Sequence, residues 1–151
     1  MTTTTPDDRS EDSYPLRSLT GRILPAIHYV HRTLGYGFTE AVYRRALAVE
    51  LQFRGTAVSQ EVRYEVVYRG VVVGVYQADM VVESSVIIET KTGLVLDPAA
   101  AGQLLSYLSA ARLPVGLICH FGPRLQVKRM VRSEHTARGE RAVSTPESIK
   151  F

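Results

Sequence analysis

One cysteine in 151 residues, Cys119, excludes an internal disulfide and any zinc site built on several thiolates. Tryptophan is absent and aromatic residues do not interleave with basic ones, so a dedicated single-strand stacking surface is not indicated. No apolar run approaches the ~20 residues needed to cross a bilayer. The polar, acidic start Met-Thr-Thr-Thr-Thr-Pro-Asp-Asp does not read as a secretory leader. A cytoplasmic protein with no membrane partner is the expectation. No internal repeat is visible. Gly35-Tyr36-Gly37 lacks the flanking strand and the further glycine of a nucleotide loop, which argues against a nucleotide cofactor. Lysine is scarce too: fifteen of the eighteen bases are arginine, which leaves Lys91 as one of three lysines. The two cations differ chemically, and only lysine is a compact, tunable point charge.

What remains is a chain of 45% apolar residues, suited to one domain with a real core. The formal charge of +3 is unevenly spread: residues 1–15 carry −3, residues 134–151 balance, and residues 16–133 carry +6. A basic body is compatible with a polyanion partner. Residues 1–15, rich in Thr, Asp, Ser and Pro, read as a disordered tail, as do residues 133–151. Residues 16–132 are then the domain, with homo-oligomerisation left open.

From Leu16 to Thr33 the apolar positions Leu19, Ile23, Ala26, Ile27 and Val30 recur at helical spacing, with Pro25 able to kink or shorten that helix. Leu34-Gly35-Tyr36-Gly37 reads as a turn, and Thr39 as the N-cap of a second helix that stops at Gly55. The period then becomes two. Val58, Gln60, Val62, Tyr64, Val66 and Tyr68 alternate with polar neighbours, Arg69-Gly70 turns the chain, and strands follow over 71–82 and 86–91. Asp97-Pro98 opens a third helix ending near Arg112. Strands over 115–121 and 124–131, joined by Gly122-Pro123, close the domain. The order α-α-β-β-β-α-β-β predicts an α+β or mixed α/β sandwich rather than a doubly wound parallel sheet.

Residues 79–91 carry the chemistry. Asp79 precedes an apolar run, and Val86-Ile87-Ile88 ends in Glu89-Thr90-Lys91, where the pattern predicts buried strand. Burying charge costs several kcal/mol per ion unless it is paired or bound to a metal. If Glu83-Ser84-Ser85 is the turn, Val82 faces Val86, Asp79 faces Glu89 and Gln77 faces Lys91. Alternation puts Glu89 and Lys91 on one face and Thr90 on the other. Opposed carboxylates repel unless a cation sits between them, and hard oxygen ligands suit Mg²⁺ or Mn²⁺. The Thr90 carbonyl is a candidate third ligand. An adjacent lysine can orient water or stabilise developing negative charge, equipment suited to water attack on a phosphodiester.

Asp79 followed by Glu89-Thr90-Lys91 across one hairpin resembles the PD-(D/E)XK nuclease signature, with Ala78 at its often-varied proline position. Gly37-Phe38-Thr39-Glu40-Ala41-Val42-Tyr43 is similar to the G-x-x-E-x-x-Y motif of the GxxExxY protein family, a branch of that superfamily. Val30-His31-Arg32-Thr33-Leu34-Gly35 and Gln103-Leu104-Leu105-Ser106-Tyr107-Leu108 agree with it, and the similarity spans residues 19–131. The resemblance implies a restriction-endonuclease-like core with a mixed central sheet. It implies Asp79 and Glu89 as metal ligands, Lys91 as the catalytic lysine, Glu40 as an auxiliary acid and Gln103 as a polar group on the same cleft. The implied activity is metal-dependent hydrolysis of nucleic acid, DNA before RNA. The chain departs from the pattern at Ala100, where relatives often carry histidine. That departure supports an alternative, a degenerate nuclease-fold module that binds nucleic acid or protein without cutting.

Simpler roles stand beside these. Glu40 suits the first turn of any helix, where the dipole favours acids. Tyr43 reads as a packing residue with a tethered hydroxyl, and Tyr107 shares a helix flank with Gln103. His28 and His31 share a helix face without a third ligand nearby, and His120 reads as a satisfied core histidine. Arg124, Gln126 and Lys128 alternate on the last strand, with Arg129 beside them. They are candidate phosphate contacts or guards of an edge strand.

Overall fold

In the computed structural model, which describes residues 16–133, the apolar spacing becomes two layers of helix around one sheet. Helices α1 (Arg17–Leu34) and α2 (Glu40–Phe53) lead into strands β1 (Val58–Tyr68), β2 (Val71–Val82) and β3 (Val86–Lys91). Helix α3 (Ala99–Ala111) then crosses to β4 (Val115–Phe121) and β5 (Leu125–Val131). The order matches the sequence reading. The strands lie side by side in chain order, antiparallel except for the parallel β3–β4 pair that α3 bridges. Apolar side chains of α1 and α2 pack one face with Met80, Ile88, Leu117 and Phe121, and those of α3 pack the other with Val81, Ile87 and Ile118. Among the described residues no helix is long and apolar enough to cross a membrane.

Helix α1 runs through Pro25 without being shortened, with the proline on its exposed side. Thr39 occupies the N-cap of α2, but its side chain makes no capping bond. Its carbonyl instead accepts the N–H groups of Val42 at 3.1 Å and Tyr43 at 3.3 Å. Gly55, at φ +80°, ends α2 as expected, with the Thr56 N–H bonded to the Leu51 carbonyl at 2.9 Å. Asp97 Oδ1 accepts the Ala99 N–H at 2.9 Å and so caps α3.

One expectation for the sheet fails. Strict alternation along β1 would put Val58, Val62 and Tyr64 on one face, yet Val58 packs toward α1–α2 while Val62 and Tyr64 pack toward α3. The reversal falls at Glu61, whose φ of +53° turns the strand over. On β2, Met80 and Ala78 split between the same two faces, although two residues apart. The level between them, Glu61 with Asp79, drops out of the ladder that joins Gln60↔Met80 and Val62↔Ala78. The sheet is therefore irregular at the height of Asp79. Beside it, β3 is buried up to Thr90 and β4 throughout, as central parallel strands require.

Candidate functional site

The β2–β3 turn sets the site. Glu83 and Ser84, at φ +50° and +54°, reverse the chain so that Val82 pairs with Val86, Val81 with Ile87 and Met80 with Ile88. The backbone ladder ends there, and side chains replace it. Glu89 Oε1 accepts the Asp79 N–H at 3.1 Å. Asp79 Oδ2 accepts the Thr90 N–H at 2.8 Å and the Thr90 hydroxyl at 2.7 Å. Each acid takes a backbone donor of the opposite strand, so the two carboxylates lie between the strand ends. The expected opposition of Gln77 and Lys91 does not form as a ladder pair, because the β2–β3 ladder stops at Met80 and Ile88.

Glu89 is 7% exposed. Burial, and then the neighbouring Asp79 carboxylate, push its carboxyl up to about 8. The Asp79 N–H and the Lys91 charge pull it down, and Glu40 adds to the rise. Glu40 at the start of α2 and Lys91 at the end of β3 thus both act on the same carboxyl. Tyr107 on α3 is pushed up by burial, and then by Glu89 and Asp79, so its ring, 5.0 Å from that of Tyr76, borders the same cleft. Cys119, the ladder partner of Thr90, is buried and its thiol is pushed up, as suits a small hydrophobe.

Arg44 was not legible as a site residue. One turn after Glu40 on α2, it sits 3.8 Å from Asp79 Oδ1 and 3.3 Å from Glu61 Oε1. It joins the two residues that drop out of the β1–β2 ladder. Its only sequence signal is the i,i+4 spacing from Glu40.

The Gly37–Tyr43 segment explains how Glu40 is presented. Gly37, at φ +124°, allows a turn that most side chains would strain. The Tyr43 hydroxyl donates to the Gly35 carbonyl and accepts the Phe38 N–H, while its ring stacks on Phe121 at 4.6 Å. The tyrosine fastens the loop, and the loop delivers Glu40 as the first residue of α2.

Other candidates lie apart. Gln103 is exposed and makes no hydrogen bond with the site among the described residues. Arg124, Gln126 and Lys128 are exposed on or beside edge strand β5, with Lys128 level with Ile118 and hence with Glu89. Arg129 is half-buried and, by alternation, points to the opposite face from Lys128. His31 Nε2 pairs with the Gly122 carbonyl at 2.8 Å and so ties α1 to the turn after β4, while His28 is exposed. His120 is not satisfied: it is 1% exposed, and neither ring nitrogen has a partner among the described residues.

The donor set suits a hard divalent cation. Asp79 Oδ1 has only the long contact to Arg44, and Glu89 Oε2 accepts no hydrogen bond among the described residues. One oxygen of each acid is left for a ligand, where the ionised forms of a buried and a half-buried carboxyl would repel without a cation between them. Among the described residues, no three His, Cys, Asp or Glu side chains form a metal-holding group.

Comparison with known proteins adds the following. A family model described as the PD-(D/E)XK nuclease superfamily matches residues 17–132. A solved structure described as "Crystal structure of SSO0001" is similar at 20% sequence identity and a TM-score of 0.47, over 87% of this chain and 69% of that one. No curated protein matches the chain significantly.

Proposed function

Since the chain belongs to the PD-(D/E)XK nuclease superfamily, we propose that it is a metal-dependent nuclease that hydrolyses phosphodiesters, with DNA preferred to RNA. The observation that carries this reading is the meeting of Asp79 and Glu89 at the end of the β2–β3 ladder, each with one carboxylate oxygen that accepts no hydrogen bond among the described residues. Asp79 and Glu89 would hold Mg²⁺ or Mn²⁺, with the Thr90 carbonyl as a further donor. Bound there, the cation supplies Lewis-acid polarisation of the phosphoryl oxygen.

The remaining work falls to the chain. Lys91 orients the attacking water and offsets charge growing on the phosphoryl oxygens. Thr90 holds Asp79 through two donors, which fixes the direction of its free oxygen. Glu40 borders the cleft from α2, and Gln103 would turn inward from α3 when substrate binds. Arg124, Lys128 and Arg129 would contact flanking phosphates. The narrower GxxExxY placement rests on Gly37, Glu40 and Tyr43.

One observation favours the second reading, a binding module without cleavage. Asp79 already accepts two bonds from Thr90 and faces Arg44, so the acids are partly served by the protein itself. Incubation with plasmid, single-stranded DNA and RNA in Mn²⁺, Mg²⁺ or EDTA separates the two. Metal-dependent cleavage, lost in Asp79→Ala and in Lys91→Ala, is the outcome expected of the enzyme. Salt-dependent binding without cleavage by the wild type identifies the module instead.

A further inference from the structure

His120 stands at the C-terminal end of β4, 1% exposed, with neither Nδ1 nor Nε2 partnered among the described residues. A buried polar group left unpaired is destabilising. A leucine or phenylalanine would avoid that cost, and Ile118, two residues back on the same face, is an ordinary member of the α3-side core. The backbone nevertheless makes room for an imidazole. At Gly122, the next position on this face, a Cβ would lie 2.6 Å from His120 Cε1, 3.0 Å from Nδ1 and 3.1 Å from the Gly93 carbonyl oxygen. Only glycine leaves that slot open.

The ladder places the slot beside Lys91. Lys91 and His120 are partners across the parallel β3–β4 pair, one step beyond Glu89 and Ile118. Adjacent strands lie about 4.8 Å apart, so the two side chains leave the sheet next to each other on the face that carries Glu89. Lys91 is half-buried, and its ammonium makes no hydrogen bond or ion pair among the described residues. A donor without an acceptor and a ring without a partner thus stand side by side. The geometry points to His120 as the positioning residue of Lys91: the two make no hydrogen bond in this structure, and a rotamer change of Lys91 lets one ring nitrogen accept an N–H of the ammonium and hold Nζ over the Asp79–Glu89 pair. The catalytic consequence rests on the nuclease reading; the contact itself does not. A lysine side chain has many accessible rotamers, so one fixed acceptor changes how often its head group is in place.

Two measurements on the full chain test this. The first is the imidazole ¹⁵N spectrum at fixed pH, with His120 assigned through His120→Gln. Lys91→Met should shift both His120 nitrogens; unchanged His120 shifts overturn the proposal. The second compares His120→Leu with His120→Gln. The leucine should fold with a Tm at or above wild type, bind Mn²⁺ as tightly, and lose about tenfold or more in kcat with little change in KM. The glutamine, whose amide oxygen can accept from the ammonium, should recover most of that loss. A leucine variant that cuts at the wild-type rate, or a glutamine variant no better than leucine, overturns the proposal. A wild-type protein that does not cut removes the nuclease reading instead, and the ¹⁵N result then decides the contact by itself.

Discussion

At the scale of single residues, Glu89 has the most consequential environment. Its carboxyl is pushed up to about 8 in the folded chain, by burial and then by Asp79. Its ordinary value is near 4.3 when unfolded. Between those values the folded state binds more protons than the unfolded state, so stability falls as pH rises. The contribution is fully present below the unfolded value and is lost as pH passes through about 8. In EDTA, the Tm should therefore decline across this window, and Glu89→Gln should flatten the decline. An equal slope in the variant would place its source elsewhere. Thr90→Val tests the neighbouring contact. It keeps the Thr90 N–H bond to Asp79 and removes only the 2.7 Å hydroxyl bond. Partners that orient a metal ligand are worth about 10–100-fold in affinity. Calorimetry with Mn²⁺ should show a loss of that order, with the fold retained. Unchanged affinity would mean that the hydroxyl only closes the strand end.

At the scale of elements, the helices and strands were legible because their cause is local. Apolar period, the Gly55 stop, the Asp97 cap and the Arg69–Gly70 turn act within a few residues, and each element lies within about two residues of its expected bounds. The pairing of Val82 with Val86 and Val81 with Ile87 was also legible, because one turn length fixes it. The turnover at Glu61 was not, since nothing in an alternating run marks the residue that adopts φ +53°. Arg44 escaped notice for the same reason: its partners Glu61 and Asp79 are brought to it by two other elements. Thr90 has a second contact that alternation hid. Alternation sent its side chain to the far face, whereas the ladder's end lets Asp79 reach its hydroxyl. Helix-to-sheet fit gives a prediction at this scale. A Cβ on Gly116 would sit 2.8 Å from Leu104 Cδ1 and 3.0 Å from its Cγ, so α3 depends on the bare backbone of β4. Gly116→Ala should cost about 1–3 kcal/mol through overpacking. Urea unfolding should show this as a lower midpoint with an unchanged slope, and an unaltered midpoint would show that Leu104 moves aside freely.

At the scale of the whole molecule, the proposed cleft belongs to no single element. Glu40 and Arg44 come from α2, Asp79 from β2, Glu89, Thr90 and Lys91 from β3, and Tyr107 from α3. These elements come from both helical layers and from strands of opposite direction, so their side chains converge only in the folded chain. An ion held by Asp79 and Glu89 would then bind the native state and not the unfolded one, and its binding energy would add to stability. At a free concentration one hundred times Kd, the gain is about 2.7 kcal/mol. For a domain of this size, that corresponds to roughly 8–12 °C in Tm. Mn²⁺ should raise the Tm of the wild type by this order, reversibly with EDTA, and should leave Asp79→Ala unmoved. Lys91→Met should keep the whole shift or enlarge it, because it removes a positive charge near the ion while sparing both carboxylates. This pattern separates the roles of acids and amine without any measurement of cleavage. If Mn²⁺ shifts wild type and Asp79→Ala alike, the ion binds elsewhere, and the acid pair is a structural closure of the β2–β3 ladder.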